Sequence, residues 1–170
     1  GLLEFINNTY KVNNNEVINN RAIHNDIVYI ENNTVVGIKT RNIIKIAGIL
    51  YLNKNTKYGF NSKHMPYYVF IPLNKKYPKF LVASSLKVQS KQYIVITFSK
   101  WPITSKYPYG KCEQVIGDTN ICKNMYEILL YKHNLIYPKF KISKSLIQEH
   151  QSQIIKNTQY NVFTIDPVGC

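Results

Sequence analysis

Between Lys91 and Ser99 the chain reads KQYIVITFS, and this segment constrains the fold more than any other. At a side-chain period of two, Tyr93, Val95 and Thr97 fall on one face and Ile94, Ile96 and Phe98 on the other, which is the signature of a strand. Four further strand candidates share its β-branched and aromatic character: Lys45–Leu52 (KIAGILYL), Tyr67–Ile71 (YYVFI), Lys79–Ala83 (KFLVA) and Lys111–Ile116. Gly48 suggests a bulge or bend in the first of these, Pro72 ends the second, and Pro78 precedes the third. Five short strands separated by turn residues predict a mostly β fold with an OB-type barrel. Ile27–Glu31 and Thr34–Lys39 are also expected to be extended, whereas the Asn-rich stretch Asn7–Asn20 reads as a loop between short strands. From Asn120 the period changes. Met125, Ile128, Leu129 and Lys132 fit a short amphipathic helix, and a second is expected over Ser143–Gln151 with Ser143 as its N-cap.

Charge is distributed as unevenly as hydrophobicity. The 170 residues carry a net charge of +13, and no Asp or Glu occurs from Asn32 through Cys112, where fourteen Lys and Arg lie. Outside that stretch eight basic and nine acidic residues nearly cancel. A positive field confined to one region suits a polyanion. Lys/Asn/Ile/Tyr-rich coding explains Lys in place of Arg but not the missing acids. Two basic-aromatic groups stand out within or beside the stretch. One is Lys75, Lys76 and Lys79 with Tyr77 and Phe80; the other is Lys100, Trp101, Lys106, Tyr107, Tyr109 and Lys111. Ammonium groups on phosphates and aromatic faces under bases are how single strands are held. Lys75, Lys76, Lys79, Lys100, Lys106, Tyr109 and Lys111 of these groups, with Arg41, are the candidate contacts to a single-stranded nucleic acid. Trp101, beside Pro102, is expected to close the barrel before it stacks on a base.

Other chemistries find little support. Cys112, Cys122 and Cys170 show no CxxC spacing and read as free thiols. His24, His64, His133 and His150 are scattered, with no nucleophile–base arrangement and no Gly-rich phosphate loop. No apolar run reaches spanning length, so no membrane association is expected. Asn7-Asn8-Thr9 and Asn32-Asn33-Thr34 fit a glycosylation sequon, as an Asn-rich chain does by chance.

Specific motifs then narrow the class. Arg21–Glu31 (RAIHNDIVYIE), Val69–Val82 (VFIPLNKKYPKFLV), Ser99–Asp118 (SKWPITSKYPYGKCEQVIGD), Glu127–Phe140 (EILLYKHNLIYPKF) and the tail Asn161–Cys170 (NVFTIDPVGC) occur in that order. Together they resemble the RNase II/RNB family of 3′-to-5′ exoribonucleases, to which ribonuclease R and the exosome catalytic subunit belong. They cover the cold-shock domains and the entry to the nuclease domain. The Trp-Pro stretch beginning at Ser99 is the most specific match. Asn25 replaces a usual glycine, and Asn is the next-best residue at positive φ. Asn74 and Lys76 replace a usual Asp and Arg.

The resemblance implies a cold-shock-type OB barrel with short C-terminal helices. Residues 1–33 would be a truncated or degenerate first cold-shock domain, being too few for a complete barrel. Residues 34–118 would be the second cold-shock domain, and 119–170 a helical linker and the start of the nuclease domain. It implies single-stranded RNA as partner, with a larger RNA-degrading assembly as an option, in an intracellular, cytoplasmic or nuclear, setting. It implies magnesium in the intact enzyme, with Asp166 as the first of the metal-holding aspartates. The remaining aspartates would lie past Cys170, so this chain alone is expected to hold no metal and to be inactive. His24 is expected to pack or to orient its loop rather than act as a base. Two other readings stand: a stand-alone RNA-binding or regulatory OB protein, and a module that docks an acidic protein partner.

Overall fold

A computed structural model describes residues 1–52 and 57–135. The expected second helix over 143–151, and Asp166, lie outside the described residues. Ten strands and one helix follow in order: β1 (Leu3–Ile6), β2 (Thr9–Val12), β3 (Asn15–Glu16), β4 (Ile27–Glu31), β5 (Thr34–Thr40), β6 (Ile46–Tyr51), β7 (Tyr67–Pro72), β8 (Phe80–Ala83), β9 (Lys91–Lys100), β10 (Tyr109–Asp118) and α1 (Cys122–Lys132).

All five expected barrel strands form, and they close in the order β10-β8-β7-β6-β9. Each pair is antiparallel except β10 with β8. This circuit, three meandering strands with the fifth beside the third and the fourth beside the first, is that of an OB barrel. The alternation in β9 sorts as its sequence requires. Ile94, Ile96 and Phe98 point inward with Ile46, Leu50, Phe70, Phe80 and Val82, while Tyr93 and Val95 face outward. The Phe70 and Phe80 rings meet edge-on at 6.2 Å in the middle of this core. Helix α1 follows β10 and lies on the outer wall, where Ile128 is buried against Ala47 and Val95. Only Ile128 of the helix is fully buried.

Gly48 does not make a bulge. Its pairings with Pro72 and Ile94 sit in an unbroken register. It is small for another reason: a Cβ there would collide with the Ile71 carbonyl oxygen and the Phe70 ring. The glycine is a site of close approach between β6 and the barrel core.

The first forty residues hold more structure than their length suggests. β1, β2 and β3 form an antiparallel meander and β4–β5 a hairpin. Two bridges join them, Leu2 to Ile27 antiparallel and Ile18 to Thr34 parallel. The circuit β1-β2-β3-β5-β4-β1 repeats the strand order of the second barrel, with its own core of Leu3, Val12, Ala22, Val28 and Val35. The boundary expected between residues 33 and 34 therefore falls in the turn of a hairpin, and β5 packs with the N-terminal strands. The stretch Asn7–Asn20, read as a loop, contains β2 and β3.

Paired asparagines make this economy possible. Asn7-Asn8 joins β1 to β2, Asn13-Asn14 joins β2 to β3, and Asn32-Asn33 joins β4 to β5. All six have positive φ, between 47° and 65°. A two-residue type I′ hairpin needs positive φ at both central positions, and Asn tolerates it better than any residue except Gly.

Asn25 has φ 68°, as its place in the motif requires. The segment around it joins the two barrels. Asp26, fully buried, accepts the Ile23 and Asn42 backbone N–H groups at 2.7 and 2.8 Å and pairs with Arg41 at 2.5 Å. The Arg41 guanidinium lies 4.2 Å from the Phe98 ring of the second barrel. His24 receives the Phe5 N–H on Nδ1 at 3.1 Å and meets the Tyr77 ring edge-on at 5.9 Å. Arg21 donates to the Ile103 carbonyl at 3.0 Å. Gly1–Ile136 accordingly form one compact unit.

Candidate nucleic-acid interface

Strand register places a row of side chains around the outer wall of the second barrel. Lys91 stands opposite Tyr51, Tyr51 opposite Val69, Val69 opposite Leu81, Leu81 opposite Tyr109, and Tyr109 opposite Lys100. The row leaves β9 at Lys91 and rejoins β9 at Lys100, because a closed barrel staggers its strands. A register shift between Tyr109 and Gly110 turns Lys100 outward although Phe98, two residues earlier, faces the core.

Aromatic and basic groups meet along this row. Tyr67 and Tyr109 lie edge to face with centroids 4.8 Å apart. The Lys100 ammonium is 5.8 Å from the Tyr109 ring, and the Lys91 ammonium is 5.0 Å from the Tyr51 ring. Tyr58 and Phe60, both exposed, extend the surface from the β6–β7 loop. That loop is held to the wall by Tyr58 N–H to the Tyr67 carbonyl at 3.0 Å and Tyr67 N–H to Gly59 at 2.9 Å. Burial, and then the neighbouring Tyr109, raise the pKa of the Tyr67 phenol. Only two salt bridges form among the described residues, Arg41–Asp26 and Lys111–Glu113. Lys91 and Lys100 on this wall are in neither pair, so their field is not cancelled by a salt bridge.

The expected contacts are dispersed over the surface rather than gathered in one patch. Lys100 and Tyr109 are brought together, with Lys79 exposed at the entry to β8. Lys111 is also exposed, but its ammonium lies 3.2 Å from Glu113, which accepts the Thr97 hydroxyl as well. Those two donors hold the Glu113 carboxyl below its usual pKa. Lys75 and Lys76 are exposed on the β7–β8 loop, away from the Tyr67–Tyr109 pair in strand register. Lys106 is exposed in the β9–β10 loop, 5.7 Å from the Tyr107 ring. Arg41 differs from expectation. Its guanidinium is engaged by buried Asp26, the Arg21 carbonyl and the Phe98 ring, so it joins the barrels rather than presenting a free cation. Trp101 is structural in its own loop. It is half-buried, and its Nε1–H reaches the Ser105 carbonyl at 3.2 Å, while the Ser105 hydroxyl reaches Tyr107 at 2.7 Å. It belongs to no core cluster, so it shapes the β9–β10 loop rather than plugging the barrel.

Sequence reasoning missed Tyr51, Tyr67, Tyr58, Phe60 and Lys91. A signal was present for the strand residues. Tyr51 alternates with inward Leu50 and Leu52, and Tyr67 with inward Tyr68, so each is an aromatic on the solvent face. No group of three His, Cys, Asp or Glu side chains gathers to hold a metal among the described residues. No helix among them is long and apolar enough to cross a membrane.

Comparison with known proteins agrees with this architecture. Residues 67–134 match the family described as Dis3-like cold-shock domain 2 (CSD2). The chain is 26% identical over 151 residues to the probable exosome complex exonuclease RRP44 of Caenorhabditis elegans, covering 80% of this chain and 15% of that protein. It is 25% identical over 149 residues to exosome complex exonuclease RRP44 of Mus musculus, covering 80% and 14%. The chain thus spans about a seventh of these curated relatives. Among solved structures, yeast Ssd1, a pseudonuclease, superposes with a TM-score of 0.58 at 17% identity, over 79% of this chain and 24% of that one. Mycoplasma genitalium RNase R in complex with ribose methylated single-stranded RNA gives 0.56 at 13% identity, over 93% and 27%. Barrel topology, ordered motifs and these likenesses agree: the chain is similar to the cold-shock region of RNB-family exoribonucleases, and residues 67–134 match Dis3-like cold-shock domain 2.

Proposed function

We propose that this chain binds single-stranded RNA on the outer wall of its second barrel and guides it toward a magnesium-dependent hydrolytic site elsewhere in the parent protein. One observation carries the reading: Tyr51 and Tyr109, with Tyr67 against Tyr109, are gathered with Lys91 and Lys100 on the outer wall, where Glu113 is paired with Lys111. Stacking tolerates any base and ammonium groups follow the phosphates, which suits a guide more than a sequence reader. RNase R in the matched structure is bound to single-stranded RNA, and the curated relatives are exonucleases of the exosome complex. These likenesses support RNA as partner and an RNA-degrading assembly as context; an intracellular setting, cytoplasmic or nuclear, is part of the same proposal.

Residues 1–40 act, in this reading, as the first cold-shock domain, held rigidly against the second. Hydrolysis of the phosphodiester needs magnesium to activate water and steady the leaving oxygen. Asp166 is the proposed first ligand, with further carboxylates required, since magnesium takes six oxygens and one carboxylate supplies too few. A second reading is a non-catalytic RNA-binding protein, favoured by the likeness of fold to a pseudonuclease.

Fluorescence anisotropy with a labelled oligonucleotide tests the proposal. Affinity is expected to fall as salt rises, with a slope of about −0.7 in log–log form per phosphate contacted. Tyr67→Ala and Tyr109→Ala together are expected to weaken binding by about 1–3 kcal/mol for each base that loses its stack. Salt-independent binding, or tighter binding to an acidic protein than to RNA, would overturn the RNA reading. Magnesium-dependent shortening of RNA by the parent protein, abolished by Asp166→Asn, decides for the nuclease over the non-catalytic reading.

A further inference from the structure

The first barrel packs against one end of the second. Arg41 on Phe98, Arg21 on the Ile103 carbonyl and His24 on Tyr77 all meet the end where β7 and β9 finish. At the opposite end, β6 and β8 finish and β7 and β9 begin. A cavity of about 360 Å³ opens there, and its walls come only from the second barrel and that barrel's own loops: Leu52, Tyr68, Leu86 and Val88, with Lys57 and Lys87. Barrel mouths are common ligand sites, and such sites run from about 300 to 1,000 Å³. We infer that this mouth docks an acidic segment of a partner protein. One bulky apolar side chain of the segment enters between Leu52, Leu86 and Val88, and the carboxylates beside it face Lys57 and Lys87.

The mouth is shaped before a partner arrives. Leu52 and Tyr68 belong to the barrel core, so packing fixes the floor, and Leu86 packs against the same core from the β8–β9 loop. That loop is pinned along its length. The Ser84 N–H donates to the Pro66 carbonyl at 3.1 Å, and the Leu86 N–H donates to the Ser84 hydroxyl at 3.2 Å. At the far end the Gln92 amide donates to the Ser90 hydroxyl at 2.8 Å. Between these anchors Val88 is apolar yet 48% exposed. Lys57 and Lys87 are exposed, and neither is in a salt bridge among the described residues.

Charge and shape choose the occupant. No Asp or Glu occurs from Asn32 through Cys112, so the loops around the mouth offer cations only and favour an anionic partner. The apolar surface of the mouth is aliphatic, and its one ring, that of Tyr68, is only 7% exposed. A base is held by stacking on an open aromatic face, and such faces lie on the outer wall instead. An aliphatic pocket rimmed by cations suits a peptide that buries one anchor side chain and keeps its carboxylates at the rim. The inference does not depend on RNA binding by the outer wall.

The test is fluorescence anisotropy of the full chain with a labelled peptide, Glu-Asp-Phe-Asp-Glu, beside its serine counterpart, Glu-Asp-Ser-Asp-Glu, and oligo-U. The serine peptide is expected to bind at least about tenfold more weakly, because burial of one large apolar side chain is lost. Val88→Asp sets a carboxylate in the mouth, on an exposed loop position where the fold is kept, as circular dichroism verifies. It should weaken the phenylalanine peptide by about tenfold or more, through like charges brought together, and leave oligo-U unchanged. Lys57→Gln with Lys87→Gln should weaken the same peptide by about twofold or more, as rim charges do. No binding of the phenylalanine peptide, equal binding of the two peptides, or undiminished affinity in either variant would each overturn the inference. A parallel loss of oligo-U in Val88→Asp would also overturn it, by assigning the mouth to the RNA path. The affinity of wild type for oligo-U decides the RNA reading separately.

Discussion

Two barrels with the same strand order are built at different cost in chain. The first, a meander and a hairpin joined by two bridges, takes residues 1–40, and its three hairpins each spend two asparagines on the turn. The second runs from Ile46 to Asp118 and connects its strands by long loops, including 73–79, 84–90 and 101–108. The core of the first is small and aliphatic, centred on Leu3, Val12, Ala22, Val28 and Val35. That of the second contains Phe70 and Phe80 with seven other buried residues. The difference assigns tasks. A barrel with minimal turns has little surface to vary, while long loops on a rigid wall carry binding groups. It also assigns dependence. A barrel of about forty residues buries too little apolar surface to be stable by itself, so the first needs the second.

That dependence is open to attack at its centre. Phe70→Ala is expected to cost about 3–5 kcal/mol and Leu3→Ala about 2–5 kcal/mol. Because the barrels form one compact unit, both should lower a single unfolding transition, followed by near- and far-ultraviolet dichroism together. Two separated transitions, with Leu3→Ala moving only one, would show that the first barrel folds by itself.

The link between the barrels is next in size. Asp26→Ala leaves the Arg41 charge and two backbone N–H groups without their acceptor. Breaking a buried pair in this way typically costs about 3–5 kcal/mol, and the partial exposure of Arg41 puts this case at the low end. Chemical denaturation checks the loss, and a further Arg41→Met should recover part of it. A variant as stable as the wild type would mean that the barrels are joined elsewhere.

Gly48→Ala probes packing in the second barrel alone. The added methyl must displace the Phe70 ring or the Ile71 backbone, and overpacking of this kind costs about 1–3 kcal/mol. The corresponding probe of the first barrel is a turn. Asn33→Ala forces alanine into φ 58° and should cost about 1–2 kcal/mol, whereas Asn33→Gly should be neutral or slightly stabilising. Thermal melts of both variants distinguish a turn requirement from side-chain hydrogen bonding.

The smallest effect is on pH dependence. Burial lowers the His24 pKa, Lys76 lowers it further, and Glu4 opposes them. An unfolded histidine titrates near about 6.5. Below that pH the unfolded chain binds a proton that the folded imidazole resists, so stability falls as pH drops through 6.5 toward the lowered folded value. Above 6.5 His24 contributes no slope. His24→Asn, which retains an acceptor for the Phe5 N–H, should flatten this part of the melting-temperature profile. An unchanged profile would place the titration elsewhere.

Much of this molecule was legible because local rules and fold agreed. The five strands of the second barrel, the inward and outward faces of β9, the helix after Asn120 and the positive φ at Asn25 follow from period and residue type. So do the lysine-rich, acid-free stretch from Asn32 to Cys112 and the motifs of the resemblance. In the first barrel β4 and β5 were legible, but β2 and β3 were read as loop, because the turns around them are Asn-Asn rather than Asn-Gly and strands of two to four residues leave little periodicity to detect.

What tertiary structure decided is which residues meet. Strand stagger around a closed barrel brings Lys91, Tyr51, Tyr109 and Lys100 into one row, although the chain separates them by up to fifty-eight positions. A buried carboxylate at Asp26 turned Arg41 from a candidate contact into a link between barrels, because an ion removed from water must be paired. Composition records how many lysines, tyrosines and asparagines there are. Only the closing of the two barrels, and the packing of one against the other, sets which of them face a common ligand.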